Sequence, residues 1–541
     1  MQNESHKAVR AIATRQSKAV AFAAYVRAES PSLTESGLAS IAAILLVLSF
    51  PDFDLWPLAW LSLVPVLVLI ARRASPLHSF ILGWLFGGVF FYGSCYWLTH
   101  SMIHFGGMPT PIAFIVLIPA TFAAGIFPAF FAMVLAQVNR KFGAGALFLA
   151  PPVWAAFEWA RLGIAGQLWN AIGYSQAYHP GLIQPARWGG VYLVGFLILA
   201  VNAAIAFVLL RRTFRSVLAS ATAIVLTAFV ILAARPAGDL SKVVPQPDDA
   251  VVVAVQPNVP MDLVKSVADM RMLAARHFEM SESALRDLPN DGLARLLVWP
   301  ESPMNFGYGT DALLRERLAG FARTHNTSIL INSQEVAPND GIYNSALLIN
   351  QAGSLVTQYD KIRLMPFGEY VPLPQWLPGA GLIRGIVGDF TPGTSYRLMP
   401  VGNARVGVFI CIESAYPSIA RSFTGEGADV LINISNDGYL GPTAVMRQHL
   451  ANAVFRAVEN DRTVLRVTNT GITALITPTG VVRDATEGFK PDVRTWRVAR
   501  PQSDKTFYVA YGDLFAAVCA ALSLMIFVLS FRRKVARASR P

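Results

Sequence analysis

Arg405-Val-Gly-Val-Phe-Ile-Cys411-Ile-Glu413-Ser alternates apolar residues over a strand's length and then gives way to Ala-Tyr-Pro, the pattern of a strand that stops at a turn. A thiol at such a point is either a nucleophile or a small buried hydrophobe. Cys411 is the only cysteine of the polar part of the chain, since Cys95 and Cys519 lie inside apolar runs. Three cysteines so distributed make neither a disulfide framework nor a metal cage, and no cofactor is implied.

The strand pattern recurs on both sides of Cys411. Runs rich in β-branched residues lie at 251–255, 295–299, 328–332, 344–349, 406–412, 430–434, 463–467 and 472–476, with helix-length mixtures at 266–288, 311–325 and 443–459. Strands alternating with helices predict an α/β domain over 236–508 in which helices cover a sheet. The stretch 372–388, rich in Pro and Gly, fits no regular element; it reads as a packed loop or as a lid that touches lipid.

The rest of the chain is apolar. Of 541 residues, 54% are hydrophobic and only 15% charged, too apolar for a soluble protein. The formal charge of +11 sits in short clusters at the ends of apolar runs, which points to membrane topology and away from nucleic acid. Residues 37–235 divide into segments near 37–50, 55–71, 79–98, 111–137, 144–161, 190–210 and 214–234, and 509–531 supplies an eighth. The first is shorter than the roughly 20 residues a span needs, so it must extend upstream or tilt.

Basic residues orient these segments. With the N-terminus inside, the inner connections carry Arg72 and Arg73, then Arg140 and Lys141, then Arg211, Arg212 and Arg215, while 99–107 has no Lys or Arg. The reading is a multi-pass α-helical membrane domain of about eight spans. It places 1–36 (Lys7, Arg10, Arg15, Lys18, Arg27) as a cytoplasmic leader, 236–508 outside, and 532–541 (Arg532, Arg533, Lys534, Arg537, Arg540) as a cytoplasmic tail.

A thiol that attacks a carbonyl needs a base and a donor for the oxyanion. His277, His325 and His449 fall in helical patterns and read as solvated. Carboxylates and a lysine fit better. Leu297-Val-Trp-Pro-Glu301 is a strand stopped by Pro, Lys361 follows another strand, and Glu369 lies beyond Pro366-Phe-Gly. Singly, Glu301 also suits a helix cap, and Asp360 with Lys361 a solvated pair. Glu158 and Arg161, near the outer end of the fifth segment, read as a structural pair or as a headgroup site.

Together, Trp299-Pro-Glu301, Asp360-Lys361 with Pro366-Phe-Gly-Glu369-Tyr, and Cys411 with Glu413 resemble the glutamate–lysine–cysteine pattern of the nitrilase (carbon–nitrogen hydrolase) superfamily. Asn433-Ile-Ser-Asn-Asp437-Gly and Thr468-Asn-Thr-Gly extend the resemblance. Leu55-Trp-Pro-Leu-Ala-Trp, His104-Phe-Gly-Gly-Met-Pro, and Phe157-Glu-Trp-Ala-Arg161 with Gly173-Tyr-Ser-Gln carry it into that superfamily's membrane branch, the apolipoprotein N-acyltransferases.

The resemblance implies a layered α-β-β-α domain with Cys411 as nucleophile and Glu301 as general base. Lys361, kept charged by Glu369, would lower the thiol's pKa and hold the oxyanion; Glu413 would orient the site or be structural. It implies a membrane phospholipid as acyl donor, a diacylated apolipoprotein as acceptor, no metal, and a bacterial inner-membrane location with the domain periplasmic; a monomer is expected. Ile412, Leu440 and Lys265 depart from the family pattern and bear on acyl-chain fit. Water as acceptor would instead make a membrane-tethered amidase.

Overall fold

The computed structural model describes residues 24, 26–236, 249–261, 266–371, 390–501 and 504–532. Most of the basic leader, Lys265, the 372–388 stretch and the tail beyond Arg532 lie outside the described residues. Apolar helices come first: α1 (Leu33–Leu48), α2 (Val64–Arg73), α3 (Pro76–Ser94), α4 (Leu98–His104), α5 (Thr110–Ala124), α6 (Ile126–Phe142), α7 (Ala150–Ala165), α8 (Ala186–Arg211) and α9 (Phe214–Ala233). Among the described residues, five helical stretches are long and apolar enough to cross a membrane: Trp56–Arg73, Pro76–Ser94, Thr110–Phe142, Ala186–Arg211 and Phe214–Ala233. Helix α1 begins upstream of residue 37, at a capping box in which Ser32 and Glu35 exchange hydrogen bonds. It is still only 16 residues long.

Small residues set how closely these helices approach. Gly83 and Gly87, one turn apart on α3, face the α5–α6 junction; a Cβ on Gly87 would lie 2.8 Å from Gly125 Cα, and one on Gly83 2.5 Å from Pro128 O. With no side chains there, the two backbones meet directly. Helix α8 bends at Gly189 and Gly190, the latter at φ 64°, where glycine carries no Cβ penalty.

The second part is built from β1 (Ala250–Gln256), α10 (Val267–Arg286), β2 (Ala294–Val298), α11 (Ala312–Thr324), β3 (Ser328–Val336), β4 (Ile342–Ile349), β5 (Leu355–Asp360), β6 (Met399–Val401), β7 (Ala404–Ile410), α12 (Pro417–Gly425), β8 (Val430–Ser435), α13 (Val445–Asn460), β9 (Val464–Thr468), β10 (Ala474–Ile476), β11 (Val482–Arg483) and β12 (Asp492–Val498). Helices α14 (Phe507–Tyr511) and α15 (Leu514–Ser530) follow. The strands form two six-stranded sheets, ordered β12-β1-β2-β3-β4-β5 and β11-β10-β9-β8-β7-β6. In each, three parallel strands (β1-β2-β3 and β7-β8-β9) are flanked by antiparallel ones.

Period-two alternation decides what each face touches. Val252, Ala254, Leu296, Val298 and Leu330 share a core with Val406, Val408, Ile410 and Ile432 of the other sheet. Their neighbours Val253, Val255, Leu297, Ile329 and Ile331 pack instead with Phe278 of α10 and Leu318 of α11. Strand β7 ends at Ile410, two residues short of the expected end, because Cys411 opens a 3-10 turn.

Helix α13 differs most from its sequence pattern. Every residue from Gln448 to Asn460 is buried, including Gln448, His449, Arg456 and Glu459. The cause is a second partner: α13 packs on the β7–β9 sheet and also against the apolar helices. Trp97 and Trp169 Nε1 each donate to Gln448 Oε1 at 3.0 Å, and Gln448 Nε2 donates to Ser94 O at 3.1 Å. Glu459 Oε1 accepts the N–H of Val191, just past the bend in α8, at 2.9 Å.

The α3 crossing is directly testable. Gly87→Leu should cost about 1–3 kcal/mol by overpacking, read as a lower unfolding temperature in detergent, whereas the same change at Gly37, which has open space around it, should cost little.

Candidate active site

The strand directions bring the candidate residues together. Glu301 follows β2, Lys361 follows β5 and Cys411 follows β7. Two antiparallel steps from β3 to β5 make β5 run with β2 and β3, so Glu301 and Lys361 leave one sheet at the same edge. Cys411 leaves the facing sheet, from the C-terminal end of a parallel strand, where side chains on the following loops converge.

Lys361 is the hub. Its side chain is 1% exposed, and Nζ donates to Glu369 Oε1 at 2.9 Å and to Glu301 Oε1 at 3.3 Å. Asn344 Nδ2 donates to the same two oxygens, at 2.7 Å and 2.9 Å, and Asn332 Nδ2 fixes Asn344 through its Oδ1 at 2.7 Å. The other Glu369 oxygen accepts Met365 N–H at 2.7 Å. Burial lowers the Lys361 pKa, but Glu301, Glu369 and Cys411 outweigh it and hold the ammonium charged.

The thiol is not a resting thiolate. Burial, followed by the charge of Glu301, pushes the Cys411 pKa well up, and Lys361 pulls it down only in part. The expected lowering by Lys361 is therefore present but outweighed. A nucleophile of this kind would need a base to take its proton during attack, and Glu301 is the acidic residue that acts electrostatically on both Cys411 and Lys361 most strongly.

Cys411 has φ +52°, the left-handed region that a residue with a Cβ enters at a cost. The groups that hold it there come from both sides. Glu413, fully buried, accepts Ile410 N–H at 2.7 Å with Oε2, and with Oε1 accepts Ile362 N–H at 2.7 Å, Arg363 N–H at 3.0 Å and Tyr359 O–H at 2.8 Å. It thus ties the Cys411 turn to the loop after Lys361. On the carbonyl side, His449 Nε2 lies 3.0 Å and Asn433 Nδ2 3.4 Å from Cys411 O.

That last contact corrects the reading of the histidines. His449 and His277 are both buried, not solvated: His277 bonds Leu273 O at 2.7 Å and packs on Trp299. Asn344, Asn433 and Arg466 also belong to the site's surroundings. Their signal was faint: Asn344 and Asn433 each interrupt an apolar strand where a polar side chain must find a partner. Glu158 and Arg161 are buried, yet each serves a backbone group: Glu158 Oε1 accepts Ile172 N–H at 2.7 Å, and Arg161 donates to Trp169 O at 2.7 Å.

Glu413 also predicts a pH dependence. Burial raises its pKa from 4.5 to about 6 despite the four donors. A carboxyl raised on folding contributes stability that is complete below the unfolded value and is lost as pH rises through the folded one, here about 2 kcal/mol. The stability gap between wild type and Glu413→Gln should narrow from pH 4.5 to 7 in thermal unfolding; a gap that widens contradicts the assignment.

Comparison with known proteins finds matches for both parts of the chain. Residues 42–204 match the apolipoprotein N-acyltransferase N-terminal domain and residues 252–501 the carbon–nitrogen hydrolases. An apolipoprotein N-acyltransferase of Geobacter metallireducens is 32% identical over 509 residues, 92% of this chain and 95% of the relative. Apolipoprotein N-acyltransferases of Pseudomonas putida (32% over 512 residues, 90% and 95%) and Azotobacter vinelandii (32% over 524 residues, 93% and 96%) are similar over the same extent. With both halves matched and nearly the full length of each relative covered, this chain belongs to the apolipoprotein N-acyltransferase family.

Proposed function

We propose that the chain carries a fatty acyl group from a membrane phospholipid, through a thioester on Cys411, to the α-amine of the diacylglyceryl-cysteine at an apolipoprotein's N-terminus. The observation that carries this reading is the buried Lys361 ammonium, clamped between Glu301 and Glu369 beside a neutral thiol. In the first half-reaction Glu301 takes the Sγ proton as Sγ attacks the ester carbonyl, and Lys361 stabilises the oxyanion. Collapse expels the lysophospholipid alkoxide, which recovers the proton from Glu301. In the second, the amine attacks the thioester and loses its proton to Glu301; Cys411 leaves as a thiolate and takes that proton from Glu301, which restores both groups. Glu369 and Glu413 touch no reacting atom: the first holds Lys361, the second the turn.

This reading places residues 236–508 on the periplasmic face of a bacterial inner membrane as an α-β-β-α domain, between seven spans in 37–235 and an eighth in 509–531. The leader 1–36 and tail 532–541 are cytoplasmic, and the chain acts as a monomer without metal. The alternation of basic connections supports that topology, and the helix α13, buried against the apolar helices, suits a domain whose substrates are both held in lipid.

Purified protein mixed with phospholipid should yield an acylated Cys411 peptide, released by neutral hydroxylamine, and Cys411→Ala should yield none. Lys361→Ala should lower acylation by about 10²–10³-fold, as loss of an oxyanion donor does. Adding a diacylated lipopeptide should convert the adduct to an amide product. Release of free fatty acid alone would instead establish water as acceptor and a membrane-tethered hydrolase.

A further inference from the structure

The mechanism above uses nothing on the carbonyl side of Cys411, yet a buried polar network ends there. His449 Nε2 lies 3.0 Å from Cys411 O and Nδ1 2.7 Å from Asp437 Oδ1. Asp437 is gripped by Arg466, whose NH2 lies 2.8 Å and 3.0 Å from its two oxygens. Arg466 NH1 also donates to Asn433 Oδ1, and Asn433 Nδ2 reaches Phe409 O at 3.2 Å and Cys411 O at 3.4 Å. All four side chains are buried.

The need for this network follows from where β7 ends. Its pairing with β8 stops at Ile410 opposite Ile434, so the Cys411 carbonyl lies beyond the ladder. A buried carbonyl without a donor is costly, and a left-handed residue with a Cβ relaxes towards extended backbone unless its peptide groups are held. Such relaxation would swing the Cys411 side chain away from its present aim. His449 supplies the shorter of the two bonds to this carbonyl.

We propose that His449 is a positioning residue: anchored on Asp437, it holds the Cys411 carbonyl so that the strand end keeps the left-handed turn that presents the thiol to Glu301 and Lys361. Both partners of the ring are acceptors, so the Nε2–H form donates to the Cys411 carbonyl with Nδ1 set beside Asp437, and only a doubly protonated ring donates to both at once. Burial raises the Asp437 pKa, but Arg466 and His449 outweigh it and hold that carboxylate charged. Burial and Arg466 set the His449 pKa below the ordinary value, while Asp437 and the Cys411 carbonyl oppose them. The ring's placement is shared with the membrane part. It packs 5.4 Å from Trp169, and its neighbour Gln448 is clamped by Trp97 and Trp169.

The proposal rests on Cys411 being the nucleophile but not on the acyl donor or acceptor. Its test is the rate at which iodoacetamide alkylates the Cys411 peptide in full-length protein, followed by mass spectrometry, for wild type and for His449→Ala, His449→Asn and His449→Gln. The Gln amide nitrogen stands in for Nε2 and donates to the carbonyl at any pH; the Asn nitrogen stands in for Nδ1 and reaches only Asp437. His449→Ala and His449→Asn should react about tenfold slower or worse, the effect of an unmade buried hydrogen bond, and His449→Gln should recover most of the rate. Acyl-enzyme formation from phospholipid should follow the same order. Where the Ala variant fails to fold, the Asn and Gln variants decide. A Gln variant that reacts no faster than the Asn variant overturns the proposal. Alkylation in the expected order by a protein that takes no acyl group from phospholipid would sink the acyl-transfer reading and leave the role of His449 standing.

Discussion

A lysine ammonium out of contact with water dictates the layout of the site. An unpaired buried cation would give up its proton. Lys361 keeps it because two carboxylates from different loops share the charge, and because Asn344 and Asn332 fix those carboxylates in turn. That demand explains polar residues inside β3 and β4, where the alternation otherwise calls for apolar side chains. It also explains why Glu369 lies just beyond a tight turn, with its second oxygen held by the Met365 N–H. The same cation is what an oxyanion beside Cys411 would meet.

The second dependency is the sharing of α13. One helix supports the β7–β9 sheet, brings His449 to the Cys411 carbonyl and seats Gln448 among membrane-side tryptophans. Further contacts tie the same region down. Phe105 stacks on Tyr439 at 4.6 Å, Ser101 donates to Tyr439 O at 2.7 Å, and Asp513 accepts from Arg421 and Tyr508. Residues from both parts of the chain therefore pack around the helix that contacts the Cys411 turn.

Much of this was legible in the sequence, for a physical reason. Glu301, Lys361 and Cys411 each terminate a β-branched run, and the run's end marks the sheet edge. The apolar segments were legible because Pro, Gly and Arg punctuate them. Burial imposed by a distant partner was not. A helix such as α13, with Arg, Gln, His and Glu along it, has the composition of a solvated element, and only the apolar helices packed against it reverse that meaning. Strands of two or three residues, such as β6 and β11, are too short to show a period. The net upward push on the thiol's pKa depends on burial, which no local motif encodes.

The bend in α8 has a consequence for how the molecule is made. Its Val191 N–H is completed by Glu459, a residue that emerges from the ribosome 268 positions later. Until then that end of the helix has an open donor. The chain reads as two modules joined in series, yet this hydrogen bond of the first forms only when the second is nearly complete. A boundary that is sharp in composition is not a boundary in the packed structure.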